Sequence, residues 1–175
     1  MNLTKMRAQM LEFDGRATTV LTEIEARYGE NSDYVDTLIV LIGDVDTNLS
    51  DGSTWLIKAW LVKNKELSAN QTGKLVDALP EISSWQAQLH ICQSVRHLSI
   101  KSAQSLILVQ WLLDFNEHCR PFLRAWSVDA IVAVAQMHNQ HAELARKVLD
   151  NALEDNASSV RARARSLSQA FDLQC

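Results

Sequence analysis

The sequence predicts an all-α chain of stacked helical hairpins, and three features of the chain support this fold class. Gly occurs 5 times and Pro 2 times among 175 residues, whereas β-rich chains use both residues in their many turns. Apolar residues recur at helical spacing along almost the whole chain. From residue 33 onward, a helix, a polar turn and a second helix follow one another repeatedly. We therefore expect a single domain over residues 1–175.

The first 30 residues are predicted to form two helices that cap the stack, over about residues 3–13 and 16–28. Each has an apolar face, formed in the first helix by Leu3, Met6 and Met10 and in the second by Val20, Leu21 and Ile24. The polar residues that follow Tyr28 supply a loop and a helix N-cap.

Four helix–turn–helix units are predicted to follow, over residues 33–67, 69–98, 101–137 and 140–171. In the first unit, the polar stretch 43–53 is interpreted as the turn between the two helices. Pro80 and Pro121 fall at turns, where a missing N–H group is tolerated.

The second helices of these units can be aligned from Trp55, Trp85, Leu123 and Val160. These starts lie 30, 38 and 37 residues apart, and self-similarity at such a period is typical of a helical solenoid. Burial explains the pattern, because one hairpin cannot cover its own apolar face without neighbours. The helix predicted over 121–137 is apolar around most of its circumference, as an interior helix should be.

Two segments resemble HEAT repeats, which are armadillo-type helical repeats. They are LRAWSVDAI at residues 123–131 and DNASSVRARA at residues 155–164. In that family, an Asp or Asn in the turn precedes a hydrophobic-Arg-x-x-Ala start of the second helix. The turn acid and the helix Arg typically pair along the stack. The resemblance implies an α-α superhelix, a HEAT-like solenoid of about four hairpins with N-terminal capping helices.

The same resemblance assigns ladder roles to particular residues. Asp155 or Asn156 and Arg161 would be such ladder residues, and Arg124 would be the equivalent of Arg161. The resemblance covers about residues 33–171 but is strong only in the last two units. The first two units carry Leu56 and Gln86 where the family has Arg.

Composition and charge limit the classes of function. A net charge of −4 argues against a dedicated nucleic-acid binder, which is usually basic. Cys92, Cys119 and Cys175 have no paired spacing, which fits a reducing cytoplasm. No signal peptide is expected at the N-terminus, and no apolar run approaches the roughly 20 residues that span a membrane.

Cations on the second helices are candidates for a binding groove, because these helices line the concave surface of a HEAT-like stack. Such a row would attract an acidic peptide or a phosphate backbone. Arg161 and Arg165 share one helix face, whereas Arg163 falls on another. The alternative is pairing within the stack and on solvated faces. The candidate cations are Lys58, Arg96, Arg120, Arg124, Arg161 and Arg165.

The tryptophans divide into core and groove candidates. Trp55 and Trp85 take aligned positions and are interpreted as core residues. Trp60 and Trp126 lie elsewhere on their helices and are groove candidates, because Trp is enriched at binding hot spots. Base stacking is the alternative role for exposed aromatics.

Asp129 is the one candidate for a catalytic base, because HEAT-like DNA glycosylases use an acid beside aromatics and arginines in their groove. Trp126 and Arg124 lie close to it on the same predicted helix. The simpler interpretation is an ion pair with a cation of an adjacent repeat, since an unpaired buried charge is costly. We therefore include Asp129 among the groove residues and predict no catalytic residue.

No metal or cofactor site is predicted. His138 and His141, and His118 beside Cys119, lack a second pair at zinc spacing. The stretch that begins at Asp44 resembles the start of a calcium loop but lacks the required Gly and Glu. Phosphate-binding, nucleophile-elbow and kinase motifs were not found.

The predicted function is a non-catalytic, cytoplasmic interaction scaffold that presents a concave groove to a protein or peptide partner. The alternative is a nucleic-acid-binding or DNA-repair-like HEAT module, and salt-dependent binding to duplex DNA would distinguish the two. The identity of the partner, the oligomeric state and the role of the N-terminal helices stay open.

Overall fold

The structure, a computed structural model, describes residues 3–118 and 120–172, with the backbone alone for Phe171 and Asp172. Within these ranges every regular element is helical, which confirms the predicted all-α class. In the same ranges no helix is both long enough and apolar enough to cross a bilayer. Cys119 and Cys175 lie outside the described residues.

The chain divides into two compact units, Met1–Ser99 and Ile100–Cys175. The first unit contains six α-helices in its described part. They are α1 (Leu3–Met10), α2 (Thr19–Tyr28), α3 (Tyr34–Leu41), α4 (Thr47–Val62), α5 (Ala69–Asp77) and α6 (Trp85–Ser94). Single 3₁₀ turns, Leu79–Glu81 and Val95–His97, adjoin α5 and α6. The prediction of a single domain stays a prediction.

The second unit contains two helical hairpins. They are formed by α7 (Ser102–Leu113) with α8 (Pro121–Met137), and by α9 (Ala142–Leu153) with α10 (Ser158–Asp172). A 3₁₀ turn, Asn139–His141, precedes α9. Helix α8 packs against α7, α9 and α10, and every residue from Ser127 to Ala135 is buried. This agrees with the prediction of an apolar interior helix; only its ends expose apolar side chains, at Phe122 and Met137.

The first unit corrects the predicted turn at residues 43–53. Helix α4 begins at Thr47, where the Asp46 carboxylate caps it by accepting a hydrogen bond from the Asn48 N–H. The polar residues that suggested a turn therefore form the first two turns of α4. Their small side chains are buried because α1 and α2 pack against them. A Cβ on Gly52 would lie 3.1 Å from terminal carbons of Leu21 and Met10.

The C-terminal end of α4 also differs from the prediction, because the helix stops before residue 67, where the first unit was expected to end. The helix ends at Val62, and Asn64 adopts a left-handed conformation with φ of 58°. Asn tolerates this conformation, which commonly terminates helices. The next helix begins with a capping box, in which Ser68 and Gln71 each bond to the other's backbone N–H. These local signals separate the first two hairpins.

The contacts between α4 and α6 correct the alignment of Trp55 with Trp85. Trp55 lies in the middle of α4, whereas Trp85 is the first residue of α6. The residues that do meet are about 36 positions apart, such as the Asp51 carboxylate and the Ala87 N–H at 3.1 Å. Both tryptophans are half-buried and neither lies in the fully enclosed core.

The same sequence separation recurs in polar contacts of both units. In the first unit, the Gln71 amide donates to the Asp36 carboxylate at 2.8 Å, a separation of 35 residues. In the second, Ser105 Oγ lies 2.8 Å from His141 Nε2, a separation of 36 residues. Within each unit, neighbouring hairpins therefore meet at a nearly constant offset along the chain.

Candidate functional site

Arg124 binds the turn of the following hairpin through a two-pronged ion pair. Its Nε and Nη2 atoms donate to the two carboxylate oxygens of Asp155, at 2.9 and 2.8 Å. Nη2 also donates to Asn156 Oδ1 at 3.0 Å. Only 11% of the Arg124 side chain and 15% of the Asp155 side chain are exposed. Hydrogen bonds from Arg124 lower the pKa of Asp155, so the pair is charged at neutral pH.

Arg124 and Arg161 each donate a similar hydrogen bond to a backbone oxygen within their own hairpin. The Nη1 atom of Arg124 donates to the backbone oxygen of His118, six residues earlier, at 2.6 Å. The Nη1 atom of Arg161 donates to the backbone oxygen of Asp155, also six residues earlier, at 2.6 Å. The two arginines thus anchor equivalent turns. Both guanidinium groups are thus held by hydrogen bonds within the second unit, and the HEAT-type ladder role stays a prediction.

Asp129 is buried, with its residue 3% exposed, and pairs with a cation on α10. Its Oδ2 atom lies 3.2 Å from Nη1 of Arg163. The sequence raised this arrangement as the simple alternative to catalysis, without naming the partner.

The Arg163 guanidinium also covers Trp126. Its central carbon lies 4.0 Å from the centre of the indole ring, within the range of a cation–π interaction. Phe122, one turn earlier on α8, meets Trp126 edge-on with ring centres 6.5 Å apart. Trp126 is half-buried, while Phe122 is 53% exposed. We call Phe122, Trp126 and Arg163 the aromatic surface of the second unit.

Lys58 belongs to a polar cluster between α4 and α6 in the first unit. Its ammonium donates to Gln93 Oε1 at 3.0 Å, and burial lowers its pKa. His90 lies in the same cluster, with Nδ1 3.1 Å from Thr54 Oγ1. Burial, together with the charge of Lys58, lowers the pKa of His90 to about 3. Burial also raises the pKa of Asp51, which accepts from the N-terminus of α6.

Trp60 also contacts a cation. Lys65 Nζ lies 4.0 Å from the centre of its ring, and the Tyr34 ring packs against it with centres 5.5 Å apart. The Trp60 N–H and the Tyr34 hydroxyl are both enclosed, and neither has a hydrogen-bond partner in the part of the chain that the structure describes. Burial raises the pKa of Tyr34, so its hydroxyl stays protonated.

The remaining predicted groove cations are exposed. Arg96 lies in the 3₁₀ turn after α6, Arg120 directly precedes α8, and Arg165 lies on α10. The predicted groove residues therefore divide between the two units. Lys58, Trp60 and Arg96 belong to the first, and Arg120, Arg124, Trp126, Asp129, Arg161 and Arg165 belong to the second.

The histidines considered as metal ligands hold turns together in the structure. His138 Nε2 lies 2.9 Å from the backbone oxygen of Ile100, and His141 Nε2 lies within hydrogen-bond distance of Ser105 and Gln140. Among the described residues, no three His, Cys, Asp or Glu side chains are grouped to hold a metal ion.

Arg163 is the residue that the sequence analysis missed. The helical wheel placed it on a face away from Arg161 and Arg165, but did not show that this face meets α8. One signal was available: Asp129 and Arg163 lie 34 positions apart, close to the spacing of the predicted repeats. A search for a cation about one repeat length after Asp129 would therefore have identified Arg163 as its partner.

Comparisons with protein-family models, with curated proteins and with solved structures gave no match. The geometry of the described residues is therefore the basis for any proposal about function.

Proposed function

We propose that this protein is a non-catalytic interaction scaffold of the cytoplasm that binds a protein or peptide partner. In this proposal the hairpins form a HEAT-like superhelix whose second helices line the groove. The equivalent anchoring of two turns by Arg124 and Arg161 supports a repeat relationship between the last two hairpins. The recurring offset of about 36 residues in lateral contacts supports regular stacking within each unit.

The aromatic surface is the observation on which the binding role rests. Phe122 exposes 53% of its surface beside a half-buried Trp126, although folding generally removes large aromatic side chains from water. Arg163 lies over the indole and exposes 34% of its side chain. Trp, Tyr and Arg dominate binding hot spots because they combine apolar area with hydrogen-bonding groups.

The contacts of Arg163 and of α8 also support the view that the aromatic surface is rigid. Asp129 holds the Arg163 guanidinium in place through their ion pair. The buried residues of α8 hold the helix that carries Phe122 and Trp126. A surface whose rotamers are already fixed loses less conformational entropy on binding. Lys58, Trp60, Arg96, Arg120 and Arg165 stay candidates for the wider groove.

Site-specific photocrosslinking tests this proposal in the native cell. The photoreactive residue p-benzoyl-phenylalanine replaces Phe122 in one variant and Lys147, exposed on α9, in a matched control. We expect a protein adduct that forms from position 122 and not from position 147. Identical adducts from both positions, or an adduct removed by nuclease, would contradict a protein-binding role here. The nuclease-sensitive adduct would instead favour the nucleic-acid alternative.

A further inference from the structure

A cavity of about 300 Å³ opens within the second unit, on a different side of α8 from the aromatic surface. Its walls come from the loop after α7, from α8, from α9 and from the turn before α10. Val128, Val148, Ala152 and Val160 form the apolar part of the wall, and Arg124 and Asp155 also line it. Its volume is at the lower end of the range for small-ligand pockets, about 300–1,000 Å³.

Glu117 is the uncommitted charged group of this cavity among the described residues, and Asn116 and Asn151 add side-chain amides to its wall. The Asn116 Oδ1 atom is enclosed and has no hydrogen-bond partner among the described residues. Glu117, the next residue, is exposed at the cavity and forms no ion pair among the described residues.

The cationic group of the cavity is already committed. The Arg124 guanidinium is directed to Asp155, Asn156 and the His118 backbone. It therefore neutralises Asp155 and leaves Glu117 as the uncompensated charge. A ligand that fits these walls donates hydrogen bonds, has a positive charge and has a short apolar stem.

We propose that this cavity binds an alkylguanidinium or alkylammonium group. The methylenes of such a group would pack on the valines, as the stems of Arg and Lys side chains do on apolar surfaces. The charged head would donate to the exposed Glu117 carboxylate, forming a charge-assisted hydrogen bond. The group could belong to a small molecule or to a basic side chain of a peptide.

Titration followed by NMR tests the site directly. The probes are butylguanidinium, the blocked peptide Gly-Gly-Arg-Gly-Gly, and the same peptide with neutral citrulline in place of arginine. We expect saturable shifts of the Asn116 side-chain amide signals with the first two probes and at least tenfold weaker binding of the citrulline peptide. Tighter binding of butylguanidinium indicates a small molecule, and tighter binding of the arginine peptide indicates a partner chain; both results support the proposal.

Two variants separate the site from general charge effects. Glu117→Gln should weaken binding of the cationic probes at least fivefold, whereas Glu143→Gln, an exposed carboxylate on α9 outside the cavity, should leave it unchanged. Equal binding of the citrulline and arginine peptides would overturn the proposal. So would equal effects of the two substitutions, or the absence of saturation. Each readout is independent of the photocrosslinking at Phe122, so the two proposals fail separately.

Discussion

Arg124 on α8 and Asp155 in the turn before α10 are joined by two parallel hydrogen bonds of 2.9 and 2.8 Å. The pair links two successive hairpins, and the same guanidinium also binds the turn between α7 and α8 within its own hairpin. A planar fork is needed for this geometry, and Arg supplies it where Lys cannot.

We expect Arg124→Ala to lower the free energy of unfolding by about 3 kcal/mol, because it leaves a largely enclosed carboxylate without its partner. Arg124→Lys should cost about 1–2 kcal/mol, since it keeps the charge and loses the two-pronged geometry. Urea unfolding of both variants measures these losses. A double-mutant cycle with Asp155→Asn should give a coupling energy of about 1–3 kcal/mol. Additivity within about 0.5 kcal/mol would show that the pair does not link the hairpins energetically.

The role of Asp129 predicts a contrast between two arginines of α10. Arg163→Ala should lower the free energy of unfolding by about 2–3 kcal/mol, because a buried carboxylate loses its guanidinium and Trp126 loses its cation. Arg165→Ala is the matched control on the exposed side of the same helix, and should change stability by less than about 0.5 kcal/mol. Thermal or urea unfolding followed by Trp fluorescence gives both values. Equal losses would mean that the ion pair with Asp129 adds nothing.

The buried environment of His90 leads us to expect that the free energy of unfolding falls as the pH is lowered. Its folded-state pKa of about 3 lies below the ordinary value near 6.5, so the unfolded chain binds the proton first. The corresponding stability is present above about pH 6.5 and is lost as the pH falls towards 3. The charged or titratable groups in its cluster are Lys58 and Asp51, and Thr54 contacts its ring.

The measurement compares unfolding at pH 7 and pH 5 in three proteins. Wild type should lose about 2 kcal/mol more than His90→Gln over this interval, since each pH unit contributes up to about 1.4 kcal/mol per proton. His97→Gln, at an exposed position in the 3₁₀ turn after α6, should retain the wild-type dependence. If His90→Gln and wild type had the same pH profile, His90 would not be held neutral by the fold.

The contacts around Gly52 lead us to expect that α1 and α2 pack too closely on α4 to admit a branched side chain at this position. Gly52→Ala should change stability by less than about 1 kcal/mol, because the gain in helix propensity offsets small shifts of the Leu21 and Met10 side-chain ends. Gly52→Val should cost about 2–3 kcal/mol, since a branched side chain cannot fit in the remaining space. Amide hydrogen exchange should then show reduced protection in α1 and α2. Unchanged protection in both helices would contradict this packing.

Much of the helical pattern follows from the sequence alone. Helical spacing of apolar residues predicted α8 as an interior helix, and Pro121 marks its first turn because its missing N–H needs no partner there. The start of α4 was not predictable in the same way. Gly52 and its small polar neighbours have turn-like propensities, and they become helical because α1 and α2 pack on them.

The candidate site was predictable in part, for a related reason. Trp126 and Asp129 were recognised because their spacing places them on one face of a single helix. Arg163 was missed because its role depends on how α10 lies against α8, which is a tertiary property. Likewise, the alignment of Trp55 with Trp85 was wrong because it matched two residues of the same type. In the structure, α4 and α6 meet through residues such as Asp51 and Ala87.

The affinity of the captured partner for a Phe122→Ala variant is the most direct test of the central claim. Phe122 is exposed at the start of α8, so its truncation should leave the free energy of unfolding within about 0.5 kcal/mol of wild type. We predict a dissociation constant at least tenfold higher for this variant, a loss of about 1.4 kcal/mol or more. Equal dissociation constants for the variant and wild type would contradict binding at the aromatic surface.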